Sequence, residues 1–146
     1  MEYVIFKLSS ENYTIRLDKI KEILVYSQVI ITKLFDEEPY MKGLINLRGE
    51  VIPIIDLRTL FGIEDKDISS ETVIIVVNTS DDKLMGVIVD NIVSVKELDL
   101  NQKVQAPLLG VSIDPKYIEG LVRLDVDDMA TILNIDEVLK FEELCE

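Results

Sequence analysis

The chain of 146 residues contains no histidine and no tryptophan, a single cysteine, and six glycines that stand singly. Without histidine it lacks the commonest general base, the commonest metal ligand and any phosphohistidine chemistry. Its serine and threonine hydroxyls have no imidazole to activate them, and Cys145 has neither a neighbouring base nor a second cysteine to pair with. Isolated glycines cannot build a phosphate-cradling loop. These absences argue against an enzyme and imply no cofactor. No apolar run reaches the roughly 18 to 20 residues of a membrane span, and Met1-Glu2-Tyr3 leads into a strand-like pattern without a basic leader. A cytoplasmic protein in a reducing compartment, with no insertion into the membrane, is the expectation.

Positive charge is also scarce, with 15 basic against 28 acidic side chains and a net charge of −13. The four arginines and eleven lysines form no basic stripe, which disfavours nucleic-acid binding. Glu37-Glu38, Asp81-Asp82 and Glu142-Glu143 are adjacent pairs whose side chains diverge, so they suit a solvated surface better than acid–base work on a substrate. Asp125-Val126-Asp127-Asp128 could offer oxygens to a hard cation. It lacks the glycine at loop position six and the closing glutamate of a calcium loop, and a hairpin turn is the better reading, with no metal site assigned. A hydrophobic share of 48% with 29% charged residues describes a folded globular chain, either one domain or two small subdomains sharing a core.

The remaining residues are rich in β patterns. Tyr3–Leu8 and Tyr13–Leu17 read as strands around a turn at Ser9–Asn12. Asp18–Leu24 has Ile20, Ile23 and Leu24 at helical spacing and reads as a helical turn capped by Asp18, and Val29-Ile30-Ile31 is strand-like before the break at Asp36–Pro39. Gly43–Leu57 holds two strands around Arg48-Gly49, with Gly49 at positive φ and Pro53 placing its strand at an edge or a bulge. Leu57–Gly62 reads as one helical turn with a glycine stop, and Asp65–Glu71 as a polar seam. Thr72–Val77, Met85–Val89, Tyr117–Asp125 and Met129–Leu133 continue as strands. Ile135–Leu144 closes the chain as a short amphipathic helix capped by Asn134 or Asp136.

A shift of 72 lays Ile15, Leu17, Asp18, Ile20 and Ile23 on Val87, Val89, Asp90, Ile92 and Val95, and a shift of 77 lays Tyr40, Gly43, Leu44 and Leu47 on Tyr117, Gly120, Leu121 and Leu124. Two like units are implied, roughly 13–70 and 71–133, with the terminal segments exchanged or packed between them. Units of this size with many short strands suit a pair of small β-barrels, with a cleft between them for a partner. Arg48, a guanidinium beside a hairpin glycine, is either a fork for a partner or one half of an internal pair. Up to this point the residues describe an acidic β-rich binding module.

The stretch Lys42-Gly43-Leu44-Ile45-Asn46-Leu47-Arg48-Gly49-Glu50-Val51-Ile52-Pro53-Ile54-Ile55-Asp56-Leu57-Arg58 closely resembles the signature of the CheW family of bacterial chemotaxis coupling proteins. The likeness extends through Glu2–Leu8, Asp18–Ile23 and Gly86–Val95. The resemblance implies a mainly all-β fold, two five-stranded SH3-like barrels around a shared core. It further implies a non-enzymatic adaptor that joins the cytoplasmic tips of chemoreceptors to the regulatory domain of the histidine kinase CheA, recruited to membrane receptor arrays. Carried over by position, it places receptor contacts at Leu17, Ile20, Ile23, Asn46, Arg48, Ile92 and Val95. It places kinase contacts at Glu22, Val29, Lys42 and Val51. The competing reading for Ile20, Ile23, Ile92 and Val95 is core packing. The competing function is a small-ligand or metal-binding regulatory module that uses the cleft and the Asp125–Asp128 loop.

Overall fold

A computed structural model describes residues 1–33, 38–63, 67–99, 101 and 114–140. Cys145, Glu142-Glu143, part of the Asp36–Pro39 break, the start of the Asp65–Glu71 seam and the end of the expected C-terminal helix lie outside them. Among the described residues ten strands form: β1 (Glu2–Leu8), β2 (Glu11–Arg16), β3 (Ile20–Val25), β4 (Met41–Leu47), β5 (Glu50–Asp56), β6 (Val73–Asn78), β7 (Leu84–Val89), β8 (Asn91–Glu97), β9 (Ile118–Asp125) and β10 (Asp128–Leu133). Two short helices, α1 (Leu57–Phe61) and α2 (Ile135–Val138), follow β5 and β10.

The strands make two five-stranded sheets, β8-β1-β2-β10-β9 and β3-β6-β7-β5-β4. Each is an SH3-like barrel in which three antiparallel pairings are interrupted by one parallel pair, β2 with β10 and β5 with β7. The two orders correspond strand for strand when β1, β2 and β8 are laid on β6, β7 and β3. Each barrel therefore takes its hairpin from one repeat and its remaining strands from the other. The backbone keeps the correspondence in detail. The Asp56 N–H donates to the Tyr40 carbonyl at 2.8 Å, and the Asn134 N–H donates to the Tyr117 carbonyl at 2.8 Å.

Three apolar cores result. Ile45, Ile52, Ile54, Ile74, Val76 and Ile88 fill one barrel, while Tyr3, Leu98, Val122, Ala130 and Ile132 fill the other. The largest lies between the sheets, where Phe6, Leu8, Tyr13 and Ile15 meet Ile55, Ile75, Val77, Met85, Val87 and Val89 with both helices. Alternation along the strands explains this: Ile74 and Val76 face into their barrel while Ile75 and Val77 face the other sheet.

Local chemistry accounts for the punctuation. In the β4–β5 turn Arg48 (φ 51°) and Gly49 (φ 89°) are both left-handed, as a two-residue hairpin requires. Asp56 caps α1 by accepting from the Arg58 N–H, and Gly62 (φ 72°) ends that helix. Asn134, not Asp136, caps α2. Gly43 (φ 143°) lies where the chain after β3 returns to close its barrel, since Thr32 and Leu44 exchange backbone hydrogen bonds of 2.8 and 2.9 Å.

Three local expectations need correction. Asp18–Leu24 is not a helical turn, because only Leu17–Lys19 forms a 3-10 turn and the rest is β3. Val29–Ile31 forms no strand, and pairing is limited to the bridge from Thr32 to Leu44. Pro53 is neither at an edge nor at a bulge, since β5 lies between β4 and β7. Its missing N–H costs little there: the opposite residue, Leu44, spends both backbone bonds on Thr32, and the ladder with β7 starts only at Ile54.

Candidate functional site

The chain passes from one sheet to the other at two crossovers among the described strands, Leu17–Lys19 between β2 and β3 and Asp90 between β7 and β8. Ile20 opens the edge strand β3 directly after the first crossover, Ile92 is the second residue of the edge strand β8 after the other, and each is followed by a bulge. In β3 the pairing with β6 skips Lys21, and in β8 the pairing with β1 skips Val93. The two bulged residues are 72 apart, so this irregularity belongs to the duplicated pattern.

Register decides which way the apolar side chains face, because directly opposed residues share a sheet face. Ile20 and Ile23 oppose Val77 and Ile75, both members of the inter-sheet core. Ile92 opposes Phe6 of the same core, and Val95 opposes Val4, two residues earlier on β1. All four residues singled out from the repeat therefore lie on the sheet faces that carry the inter-sheet core. Ile20 and Ile92 are half-buried against the core, whereas Ile23 is 41% and Val95 48% exposed. Core packing accounts for the first pair and leaves the second as an apolar margin. Leu17 is half-buried in its crossover turn.

Arg48 projects from the β4–β5 turn to β3. Its Nη1 and Nη2 donate to Glu22 Oε1 and Oε2 at 2.8 and 3.0 Å, a bidentate fork on the surface. The bond from Arg48 holds the Glu22 carboxyl below its ordinary range, and Glu22 in turn raises the guanidinium. Asn46 uses its Oδ1 to accept from the Gly49 N–H at 2.9 Å and so fixes the turn that aims Arg48. The structure thus joins Arg48, carried over as a receptor contact, to Glu22, carried over as a kinase contact.

The other kinase positions do not converge on one recess. Lys42 lines a pocket of about 340 Å³ with Tyr26, Ile31, Lys33, Asp56 and Arg58. Val51, 64% exposed, lines a separate recess of about 230 Å³ beside Pro53, Leu84 and Met85. Val29 is half-buried against the core of its barrel.

Two polar junctions were missed at the sequence level. Arg58, 3% exposed, donates from Nε and Nη2 to the Asp56 carboxylate at 3.1 and 3.0 Å, and from Nη1 to Asp90 Oδ1 at 2.9 Å. Asp90 Oδ2 also accepts the Ser9 N–H at 2.6 Å, which pins the second crossover. At the first crossover Lys19 Nζ pairs with Asp136 Oδ2 at 3.3 Å and donates to Ser80 Oγ at 3.1 Å. Asp136 accepts the Ser80 N–H and hydroxyl at 2.8 and 2.7 Å. Burial alone would raise the Asp136 carboxyl, but the Ser80 and Lys19 contacts outweigh it and hold the group below its ordinary value. Continuing the repeat alignment into the helices would have placed Asp136 opposite Arg58, one residue beyond the shift of 77, and exposed the relation.

Among the described residues no three His, Cys, Asp or Glu side chains are placed to hold a metal ion, and no helix is long and apolar enough to cross a membrane. In the Asp125–Asp128 turn Asp125 Oδ1 accepts the Val126 N–H, and Asp128 Oδ1 accepts from Asn12 Nδ2.

Comparison with known proteins gives concordant matches. The family profile described as CheW-like domain matches residues 2–143. The chemotaxis protein CheW of Klebsiella aerogenes is 35% identical over 143 residues, spanning 98% of this chain and 84% of the relative. That of Bacillus subtilis is 33% identical, spanning 95% and 86%. Among solved structures, the scaffolding protein TtCheW from Thermoanaerobacter tengcongensis superposes with a TM-score of 0.85 at 31% identity, covering 95% of this chain and 92% of that one.

Proposed function

The chain belongs to the CheW-like family, and from that premise we propose that it is a non-enzymatic chemotaxis adaptor that couples the cytoplasmic tips of chemoreceptors to the regulatory domain of the histidine kinase CheA. Such an adaptor works in the cytoplasm and is recruited to receptor arrays at the membrane. The observation that carries the assignment of sites is the pair of bulged edge strands, β3 and β8, which present Ile23 and Val95 at the open margin of the inter-sheet cleft. A receptor tip is helical, and an apolar helix face laid along that cleft would bury both side chains against the half-buried Ile20 and Ile92. Leu17, Asn46 and Arg48 are assigned to the same partner by the family resemblance alone, Arg48 being bonded to Glu22 on the strand that carries Ile23.

Kinase contacts are assigned to the barrel built from β3 to β7, at Glu22, Val29, Lys42 and Val51. Because Arg48 and Glu22 are hydrogen-bonded, the two partner surfaces adjoin. The experiment is a titration of the Val95→Asp variant against a receptor-tip fragment and, separately, against the CheA regulatory domain. A charge at the apolar margin removes buried contact and strands a carboxylate, so receptor affinity should fall at least about tenfold while kinase affinity holds. Unchanged receptor binding would remove the cleft from the assignment.

A further inference from the structure

The two crossovers are pinned by junctions of the same design with the charges exchanged. In each, a carboxylate accepts the backbone N–H of a serine in a β-turn, Ser9 in one and Ser80 in the other, and bonds a cation. At the second crossover the carboxylate, Asp90, sits on the crossing segment and the cation, Arg58, on the helix after β5. At the first the cation, Lys19, sits on the crossing segment and the carboxylate, Asp136, on the helix after β10. Arg58 and Asp90 are buried, whereas the Lys19 and Asp136 side chains are 24% and 35% exposed. The second junction is therefore part of the core, and the first is a weaker and accessible joint.

We propose that Asp136 is a positioning residue for receptor engagement. It holds the Leu17–Lys19 turn against the β6–β7 turn and thereby sets where Ile20 and Ile23 lie relative to Ile92 and Val95. The inference rests on the cleft being the receptor surface. Lys19 immediately precedes Ile20, so releasing Lys19 frees the turn that delivers β3 to the cleft. Of the kinase positions, Val51 borders the β6–β7 turn through Lys83 and Glu22 lies on β3, but Val51 is carried by β5 and Glu22 is held by Arg48 of the β4–β5 turn, so kinase binding depends on this joint less than receptor binding does.

The test compares Asp136→Asn, Ser80→Ala and Val95→Asp with the unmodified chain in separate titrations against a receptor-tip fragment and the CheA regulatory domain, with amide chemical shifts recorded on each free protein. Asp136→Asn removes the ion pair and Ser80→Ala removes the hydroxyl between its two members, so each should weaken receptor binding about three- to fivefold, as loss of a partly exposed pair allows. Kinase affinity should stay within about twofold, and the amide shifts of Leu17–Ile20 should move in the free variants. Equal weakening toward both partners, or unmoved Leu17–Ile20 shifts, overturns the positioning role. If Val95→Asp abolishes receptor binding while Asp136→Asn and Ser80→Ala leave it unchanged, the cleft stands and the positioning role fails. If Val95→Asp itself has no effect, the cleft assignment fails and the inference falls with it.

Discussion

Replacing Arg58 with Met would keep most of the apolar stem and delete the guanidinium that bonds two buried carboxylates. Asp56 is 2% exposed and Asp90 8% exposed, and both accept charge-assisted bonds of 2.9 to 3.1 Å from that group. Removing one partner of a buried ion pair leaves uncompensated charge and costs about 3 to 5 kcal/mol. At roughly 3 °C per kcal/mol for a chain of this size, the melting temperature should drop by about 10 to 15 °C at pH 7. In the variant, two buried carboxylates are left without their cation, and the gap between the melting curves of the two proteins at pH 7 measures that loss. Adding Asp90→Asn to the Met variant should recover part of the loss at pH 7, since the amide can still accept the Ser9 N–H. A drop of less than about 1 kcal/mol, with no recovery on adding Asp90→Asn, would refute the claim that this buried pairing, rather than apolar packing, holds the second crossover.

Gly43→Ala would place a Cβ 2.2 Å from the Thr32 carbonyl oxygen at a φ of 143°, so the barrel closure must open; urea unfolding should show a loss of about 2 to 4 kcal/mol, with faster exchange of the Thr32 and Leu44 amides. Arg48→Ala should barely alter the melting temperature, because its pair with Glu22 is on the surface. The Glu22 carboxyl, held low by Arg48, should titrate upward in the variant when followed by NMR. The stabilisation it supplies in the unmodified chain, present above the unfolded carboxylate value near ~4.3 and lost as pH falls through the lower folded one, should disappear.

Much of the architecture was legible because it was written twice. The aligned Asp18/Asp90, Ile20/Ile92, Ile23/Val95 and Gly43/Gly120 positions mark the same places in two barrels, and the Arg48-Gly49 turn and the Gly62 stop follow from backbone preference alone. Where the reading failed, a local irregularity imitated another period. Ile20 and Ile23 have helical spacing because a bulge at Lys21 adds one residue between positions on one face of a strand, while Leu24 belongs to the opposite face, packed inside the barrel. Pro53 suggested an edge because a proline inside a sheet ordinarily loses a ladder bond, and that loss is avoided because Leu44 bonds to Thr32 and the ladder with β7 starts only at Ile54. The buried junction was hidden for another reason. Arg58 and Asp90 are 32 residues apart, and nothing in the neighbourhood of either shows that it is satisfied by the other.

The exchange of hairpins between repeats has a mechanical consequence for an adaptor. Had each repeat folded on itself, the two barrels would be tethered by one linker, and their relative orientation would depend on a shared apolar face that tolerates sliding. Because β1-β2 and β6-β7 are traded, the backbone crosses between sheets twice, and each crossing is fixed by a carboxylate to a turn of a β-hairpin. The cleft margins at Ile23 and Val95 start from those crossings, one on each sheet. A partner that grips both margins therefore pulls on two pinned points of unequal strength, a buried one at Arg58–Asp90 and a partly exposed one at Lys19–Asp136. Any change in spacing across the cleft should be taken up at the Lys19–Asp136 side, next to the strand whose Glu22 is bonded to Arg48. On the proposed assignment of the two surfaces, that asymmetry, rather than the near-symmetric fold, would give receptor engagement a route to the surface assigned to the kinase.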